Sequence, residues 1–266
     1  MNLNWGVFAG CINEEALIEA KINWALRLGM KISIVEGHHP DYKNHSEDHL
    51  SIDKTTEILE SYSDQIIYNP LGEVPHQAVL RDTAYKNLPQ DLDIVIMSDI
   101  DEFFLEKDLE QIDDMFSADN DLKLILTNSY IFLDNEFCAP HIQRKEGRPV
   151  EFNKNLKLWH GQYHERIFRY NKFYGYNVSP FLINDLFGRN LVNNPIYFGE
   201  RELRDDIYLL HYKQFKLSEA KERHKMYKKR GDKHDYNKEW KLLEKNKIRY
   251  EGKHPIEIKK LIKKND

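Results

Sequence analysis

The segment Asp93-Ile94-Val95-Ile96-Met97 constrains the fold more than any other part of the chain. It is an unbroken apolar run of the kind buried on both faces of a parallel sheet. Such a sheet needs helices on both faces, and the preceding residues supply the pattern for them. Trp5 to Ala9 reads as a first strand. Asn13 is placed to cap a following helix, in which Leu17, Ala20, Trp24 and Leu28 share one face and which Gly29 ends. Lys31 to Val35 reads as a second strand, Asp53 to Tyr62 as a short helix, and Gln65 to Tyr68 as a third strand. Pro75 starts a helix carrying Val79, Ala84 and Leu88. This alternation predicts a doubly wound α/β domain.

The second half is less regular. Leu122 to Leu133 reads as one or two long strands, and Glu165 to Tyr170 and Ile207 to Tyr212 as further strands. The alternation in Glu165-Arg166-Ile167-Phe168-Arg169 turns the charged residues outward and favours salt bridging for Glu165. Pro140 to Asn155 reads as a polar loop. Helical patterns over Ser218 to Arg230, Asn237 to Asn246 and Pro255 to Lys264 close the chain. Aromatic residues gather at Trp159, Tyr163, Phe168, Tyr170, Phe173, Tyr174 and Tyr176. Their rings suit the apolar faces of sugars, and core packing accounts for most of them equally well.

With 266 residues, 41% of them apolar, the chain can bury a substantial core in one large domain. No apolar run approaches the roughly 20 residues that span a bilayer. The N-terminus lacks a basic-then-apolar leader, and there are only two cysteines, Cys11 and Cys138. A cytoplasmic protein without a disulfide framework is expected. Charge is uneven. From His211 onward, 19 basic residues stand against 9 acidic ones, a local +10, while the rest carries −15. A basic tail on an acidic body suits either an anionic partner, including a membrane surface, or a lysine-coated helical face.

The chemistry concentrates in Asp99-Ile100-Asp101-Glu102-Phe103-Phe104, just past the buried strand. Ligands of open α/β sheets bind outside the carboxyl ends of the strands. In an extended chain, residues two apart project to the same side. Two carboxylates converging there are costly unless a cation joins them. A hard ion such as Mn2+ or Mg2+ accepts carboxylate oxygens and shares its remaining positions with phosphates. The alternative is a surface turn in which Asp101 or Glu102 caps the next helix.

The segment resembles the Asp-x-Asp-Glu-Phe signature of family 2-like glycosyltransferases of the GT-A fold. Asn13-Glu14-Glu15, with a helix ending Leu28-Gly29-Met30, is similar to that group's opening. Asp53-Lys54-Thr55-Thr56-Glu57-Ile58-Leu59 is similar to its Ser-x-Asp-Gly-Thr-x-x-Leu stretch, with Lys54 in place of the usual glycine. Arg81-Asp82 stands where relatives carry an Arg-Asn pair, and Leu210-His211-Tyr212, followed by Lys213 and Ser218-Glu219, resembles their closing segment.

The resemblance implies a Rossmann-like nucleotide-binding sheet flanked by helices, a mixed acceptor-side region and a helical tail, divided at 1–135, 136–212 and 213–266. It implies an enzyme that moves a sugar from a nucleotide-sugar donor to a glycan, lipid-linked or protein-linked acceptor. Asp99, Asp101 and His211 would hold the metal; Ala9, Gly10, Asn13, Glu36, Arg81 and Asp99 would face the donor. Arg81 would pair with a phosphate, with Asp82 or Asp99 as its alternative partner. An inverting reaction needs a general base in the acceptor half, for which Asp185 is preferred over Glu165, with Asp206 as a further candidate. Two rivals remain in view. A sugar nucleotidyltransferase would carry a Gly-rich basic loop after the first strand, where this chain has Ala9-Gly10-Cys11-Ile12-Asn13. A non-catalytic protein would use the basic tail for an anionic partner; nucleic acid is not expected, because no recognition motif accompanies the tail.

Overall fold

The computed structural model describes residues 1–75, 77–140, 151–153, 158–160, 164–170, 200–213 and 236–265. Its centre is a ten-stranded mixed sheet. Four parallel strands form one half: β1 (Trp5–Cys11), β2 (Lys31–His38), β3 (Ile67–Glu73) and β4 (Ile94–Met97). They lie in the order β4-β1-β2-β3. The chain thus runs outward from β1 through β2 to β3, then returns to place β4 on the other side of β1. That reversal places the topological switch point at the carboxyl ends of β1 and β4, where open α/β sheets bind their ligands.

Helix α1 (Ile18–Arg27) joins β1 to β2, α2 (Thr55–Ser61) precedes β3, and α3 (Gln77–Asn87) leads to β4. Ile94 and Ile96 pack into a core with Trp24, Phe103 and Phe116, while Val95 and Met97 face Leu80 and Ala84 of α3 and Leu88 just after it. The apolar run is therefore buried on both faces, as its composition requires. Gly10 lets α3 approach β1: a Cβ there would stand 2.8 Å from Leu80 Cβ. Gly29, at φ +72°, ends α1 in a backbone conformation that suits a residue without Cβ.

After β5 (Glu102–Phe103) and α4 (Glu106–Ala118), the sheet continues through β6 (Leu122–Phe132) and β7 (Phe137–Pro140). A separate pair, β8 (Glu151–Asn153) and β9 (Leu158–His160), is antiparallel. Residues 151–153 thus form a strand within the stretch expected to be loop. Strand β10 (His164–Arg169) inserts antiparallel between β4 and β6, and β11 (Glu200–His211) pairs with both β6 and β5. Helix α5 (Tyr236–Lys245), β12 (Ile248–Arg249) and α6 (Ile256–Asn265) complete the description.

Several local expectations differ from the structure. Asn13 does not cap α1: the helix starts after Leu17 with no side-chain cap, and Asn13 sits at φ 53° in the preceding turn. Strand β1 runs on to Cys11 and β2 to His38, so Ala9, Gly10 and Glu36 lie within strands rather than after them. The described end of the tail packs against the rest of the chain. Ile258 of α6 is fully buried in the main core and Glu257 pairs with Arg27 of α1, while Leu243 of α5 packs with Ile131 and Leu133. Removing this stretch would strip apolar side chains from the core. Both cysteines are buried, and neither forms a disulfide. No helix among the described residues is long and apolar enough to cross a membrane. The helix expected over Ser218 to Arg230, Asp185, and the aromatics Tyr163, Phe173, Tyr174 and Tyr176 lie outside the described residues.

Candidate metal and phosphate site

The site grows from the end of β4. Ser98 follows the strand, and the next residues turn sharply, with the Glu102 amide donating to the Asp99 carbonyl at 3.1 Å. The turn runs into β5, where His211 of β11 stands in register with Glu102. This pairing also brings the Tyr212 amide to the Asp101 carbonyl at 2.8 Å. The backbone ladder thereby fixes His211 beside the acidic turn. His211 Nε2 lies 3.1 Å from Asp101 Oδ2, and both residues are buried.

The two aspartates face different surroundings. Asp101 turns inward to His211, and it does not cap α4, whose first turn begins after Leu105 without a side-chain cap. Asp99 stands at the rim between two guanidinium groups. Its Oδ1 accepts a short hydrogen bond from Arg81 of α3, and Oδ2 lies 3.4 Å from Arg166 Nη2. The side chains of Asp99 and Arg81 are 32% and 18% exposed, which makes them the solvent-facing members of the group.

Beneath them lies a buried ionic layer. Arg166 Nη2 donates to Glu102 Oε1 at 2.6 Å, and the Asp99 amide donates to Glu102 Oε2 at 2.9 Å. Burial works against the Arg166 charge, but the neighbouring Glu102 and Asp99 carboxylates outweigh it and hold its pKa above the ordinary value. Lys21 of α1 is fully buried under the turn. Its Nζ donates to Ser98 Oγ at 2.6 Å and to the Glu102 carbonyl at 2.5 Å, and it lies 4.4 Å from the centre of the Trp24 ring. Burial lowers the Lys21 pKa from 10.5 to about 7, against the pull of Glu102, Asp101 and Asp99. Lys21 thus ties α1 to the underside of the acidic turn.

Neither Arg166 nor Lys21 was singled out by sequence reasoning. Strict alternation places Arg166 on a solvent-facing edge. In the structure β10 carries a register shift between Glu165 and Ile167 opposite consecutive residues of β6. A bulge of this kind adds one residue and re-aims a side chain, here the buried Arg166. Lys21 had a local signal. It sits one helical turn after Leu17 and one before Trp24, a cation on an apolar stripe.

The remaining sequence candidates divide. Arg81 joins the site. Ala9 is buried in the core, and Gly10 lies against Leu80. The Asn13 side chain holds the loop after β2, donating to Tyr42 Oη at 2.9 Å and the Asn44 carbonyl at 2.6 Å and accepting from the Ile52 amide at 2.9 Å. Glu36 is fully buried and accepts from Ser51 N, Thr56 Oγ1 and Tyr68 Oη. Both polar side chains thus bind the chain itself. Asp206 is exposed and pairs with Arg204 at 2.7 Å. Glu165 belongs to β10, and its side chain lies outside the described residues, as does Asp185.

The donors present suit a hard divalent ion. Two ligands bound at right angles about 2.1–2.2 Å from one ion stand roughly 3 Å apart, the separation seen between Asp101 Oδ2 and His211 Nε2. The carboxylate oxygen is the donor suited to Mn2+ or Mg2+, and the single imidazole of His211 stands beside it. Asp99, engaged by Arg81 and Arg166, sits beside this pair.

No family model matches the chain, nor does any curated protein. Solved structures do resemble it. S. aureus TarS is 13% identical over 79% of this chain and 36% of its own, with a TM-score of 0.42. The chain spans 60% of the shorter 1–349 form of TarS. The Pyrobaculum calidifontis mannosyltransferase, solved with GDP-Man and Mn2+, is 14% identical over 100% of this chain and 69% of its own, at a TM-score of 0.45. Glucosyl-3-phosphoglycerate synthase from Mycobacterium tuberculosis, solved with phosphoglyceric acid, is 14% identical over 79% and 71%, at 0.42.

Proposed function

We propose that the chain is a metal-dependent glycosyltransferase that moves a sugar from a nucleotide-sugar donor to a glycan, lipid-linked or protein-linked acceptor. One observation carries the reading: Asp101 and His211 converge at 3.1 Å beside the carboxyl end of β4, with Arg81 on the same rim. A carboxylate–imidazole pair next to an arginine at a sheet switch point suits a metal-bound diphosphate. The resemblance of Asp99 to Phe103 to the Asp-x-Asp-Glu-Phe signature supports the same reading.

In this reading Asp101 and His211 hold Mn2+ or Mg2+. Held by these residues, such an ion would supply Lewis-acid stabilisation of a leaving nucleoside diphosphate. Asp99 keeps the Arg81 guanidinium at the rim, where planar N–H donors match phosphate oxygens. Glu102, Arg166 and Lys21 lie below and keep the turn in one conformation, so that little reorganisation accompanies binding. An acid of the acceptor half, Asp185 or Glu165, takes the proton from the acceptor hydroxyl, and the reaction inverts the anomeric centre. Residues 1–135 carry the donor side, 136–212 the acceptor side, and the lysine-rich segment 213–266 makes peripheral contact with an anionic membrane from the cytoplasmic side.

The test is a thermal-shift panel of UDP, GDP, CDP and dTDP, with and without Mn2+, on the wild type and on Asp101→Asn. One nucleotide is expected to stabilise the wild type only with metal, and the substitution is expected to abolish that shift. Shifts that ignore both metal and Asp101 would overturn the reading in favour of a non-catalytic binding protein.

A further inference from the structure

A cluster outside this site has its own chemistry. His38 is the last residue of β2, and His45 and His49 lie in the loop that follows. One ring nitrogen from each lies within 4.8 Å of the others. The rings are closely grouped, with centroids 4.1 Å apart for His38 and His45 and 5.0 Å for His45 and His49. Three imidazoles rarely meet without a reason, because any two that protonate repel each other.

Hydrogen bonding sets the tautomers. His38 Nδ1 lies 2.8 Å from the His39 carbonyl, and His45 Nδ1 lies 2.8 Å from the Ser46 carbonyl. A carbonyl only accepts, so each Nδ1 carries the proton and each Nε2 presents a lone pair. His49 Nδ1 faces Glu73 Oε2 at 3.9 Å. Metal-binding histidines are oriented in this way, with the distal nitrogen on a carbonyl or carboxylate. His38 is 2% exposed, and its Nε2 is buried without a hydrogen-bond partner. Such an orphan atom calls for a missing partner. Burial also lowers the His38 pKa, which keeps the ring in the neutral, ligating form. Across the cluster, the half-exposed His49 leaves access from solvent.

We propose that His38, His45 and His49 bind a borderline transition ion of the Zn2+, Ni2+ or Cu2+ type, which clips loop 39–54 to the end of β2. Imidazole nitrogens select such ions over Mg2+ and Mn2+, so the site is chemically distinct from the Asp101–His211 pair and independent of the transferase reading. The His38 and His45 rings stack at an interplanar angle of 11°, so bringing the nitrogens from within 4.8 Å to the spacing around one ion requires the loop rings of His45 and His49 to rotate out of the stack. The same loop is held from its other side by Asn13 and Glu36. The ion would therefore complete the fastening of the segment that covers the carboxyl ends of β1 and β2.

The experiment uses the full chain stripped with chelator. Zn2+ is titrated calorimetrically into the wild type, Asp101→Asn, His45→Ala and His49→Ala, and bound zinc is counted after dialysis. The absorption spectrum of the Co2+-loaded wild type reports imidazole coordination, and melting of the metal-free variants checks their folding. The wild type and Asp101→Asn are expected to bind one Zn2+ with equal affinity, and each His variant to bind it at least about tenfold more weakly. Zn2+ is also expected to raise the melting temperature of the wild type and not of the His variants. The proposal is overturned if the wild type retains no zinc, if both His variants bind it as the wild type does, or if Asp101→Asn alone abolishes binding. Because His49 is half exposed, His49→Ala tests the ligand set without disturbing the core.

Discussion

His211 Nε2 stands 3.1 Å from Asp101 Oδ2, although 110 residues separate them in sequence. The contact is a product of the sheet. β11 pairs antiparallel with β5, His211 opposes Glu102, and the Tyr212 amide binds the Asp101 carbonyl. If these side chains share one ion, His211→Gln and Asp101→Asn should each weaken Mn2+ binding by at least about tenfold, or ~1.4 kcal/mol. Asp99→Asn should weaken it less, because Asp99 is engaged by Arg81 and Arg166. Paramagnetic titration of Mn2+ distinguishes the three; equal losses at Asp99 and Asp101 would contradict the division of roles.

Arg166 and Glu102 form a buried ion pair at 2.6 Å, with the Glu102 side chain 1% exposed. Removing one partner leaves a charge without compensation in the interior. Arg166→Met is expected to lower unfolding stability by about 3–5 kcal/mol. The double variant Arg166→Met/Glu102→Gln should recover part of this, because the orphaned charge is gone. Urea denaturation of the single and double variants measures the difference.

Lys21 provides a pH signature. Its pKa is about 7 in the folded chain against 10.5 for the ordinary group. Between these values the unfolded chain holds the proton and the folded chain has released it. Raising the pH through that window therefore favours the folded state; below it, the cost of the buried charge is constant. Relative to Lys21→Met, the wild type should gain on the order of 1–4 kcal/mol between pH 7 and pH 10. Comparison with the variant cancels the titration of other groups. A flat difference between the two unfolding curves would remove the desolvated amine from the account.

Gly10 tests the packing that carries Arg81. Alanine there would bring Cβ within 2.8 Å of Leu80 Cβ, an atom fixed to the α3 backbone. The helix must move, at a cost of about 1–3 kcal/mol. Arg81 follows Leu80 directly, so Gly10→Ala should also weaken metal-dependent nucleotide binding. Denaturant midpoints and the thermal-shift panel read both effects.

Much of this arrangement was legible along the chain. Ile94 to Met97 announced a doubly buried strand because four consecutive apolar side chains leave neither face for water. Gly29 marked the end of α1 through a backbone conformation that favours glycine. Asp99 and Asp101 were recognisable as acids just past that strand, but the extended run expected to turn both to one side is a turn, which gives Asp99 to Arg81 and Arg166 and Asp101 to His211. The legible features are local properties, set by a few neighbouring residues.

Other features were decided by contacts between distant segments. Alternation sent Arg166 to solvent, and one extra residue in β10 carried it under Asp99 instead. Asn13 had the chemistry of a helix cap, yet loop 39–54 supplied better partners in Tyr42, Asn44 and Ile52. Glu36 had the chemistry of a nucleotide contact, and Ser51, Thr56 and Tyr68 surround it. The sequence by itself determined the strand–helix order and the place of the acidic residues after β4, because periodicity and backbone preference act over a few residues. Only the tertiary structure decided which charges meet: a buried polar side chain must find a partner, and strand register and loop path select which one comes within reach.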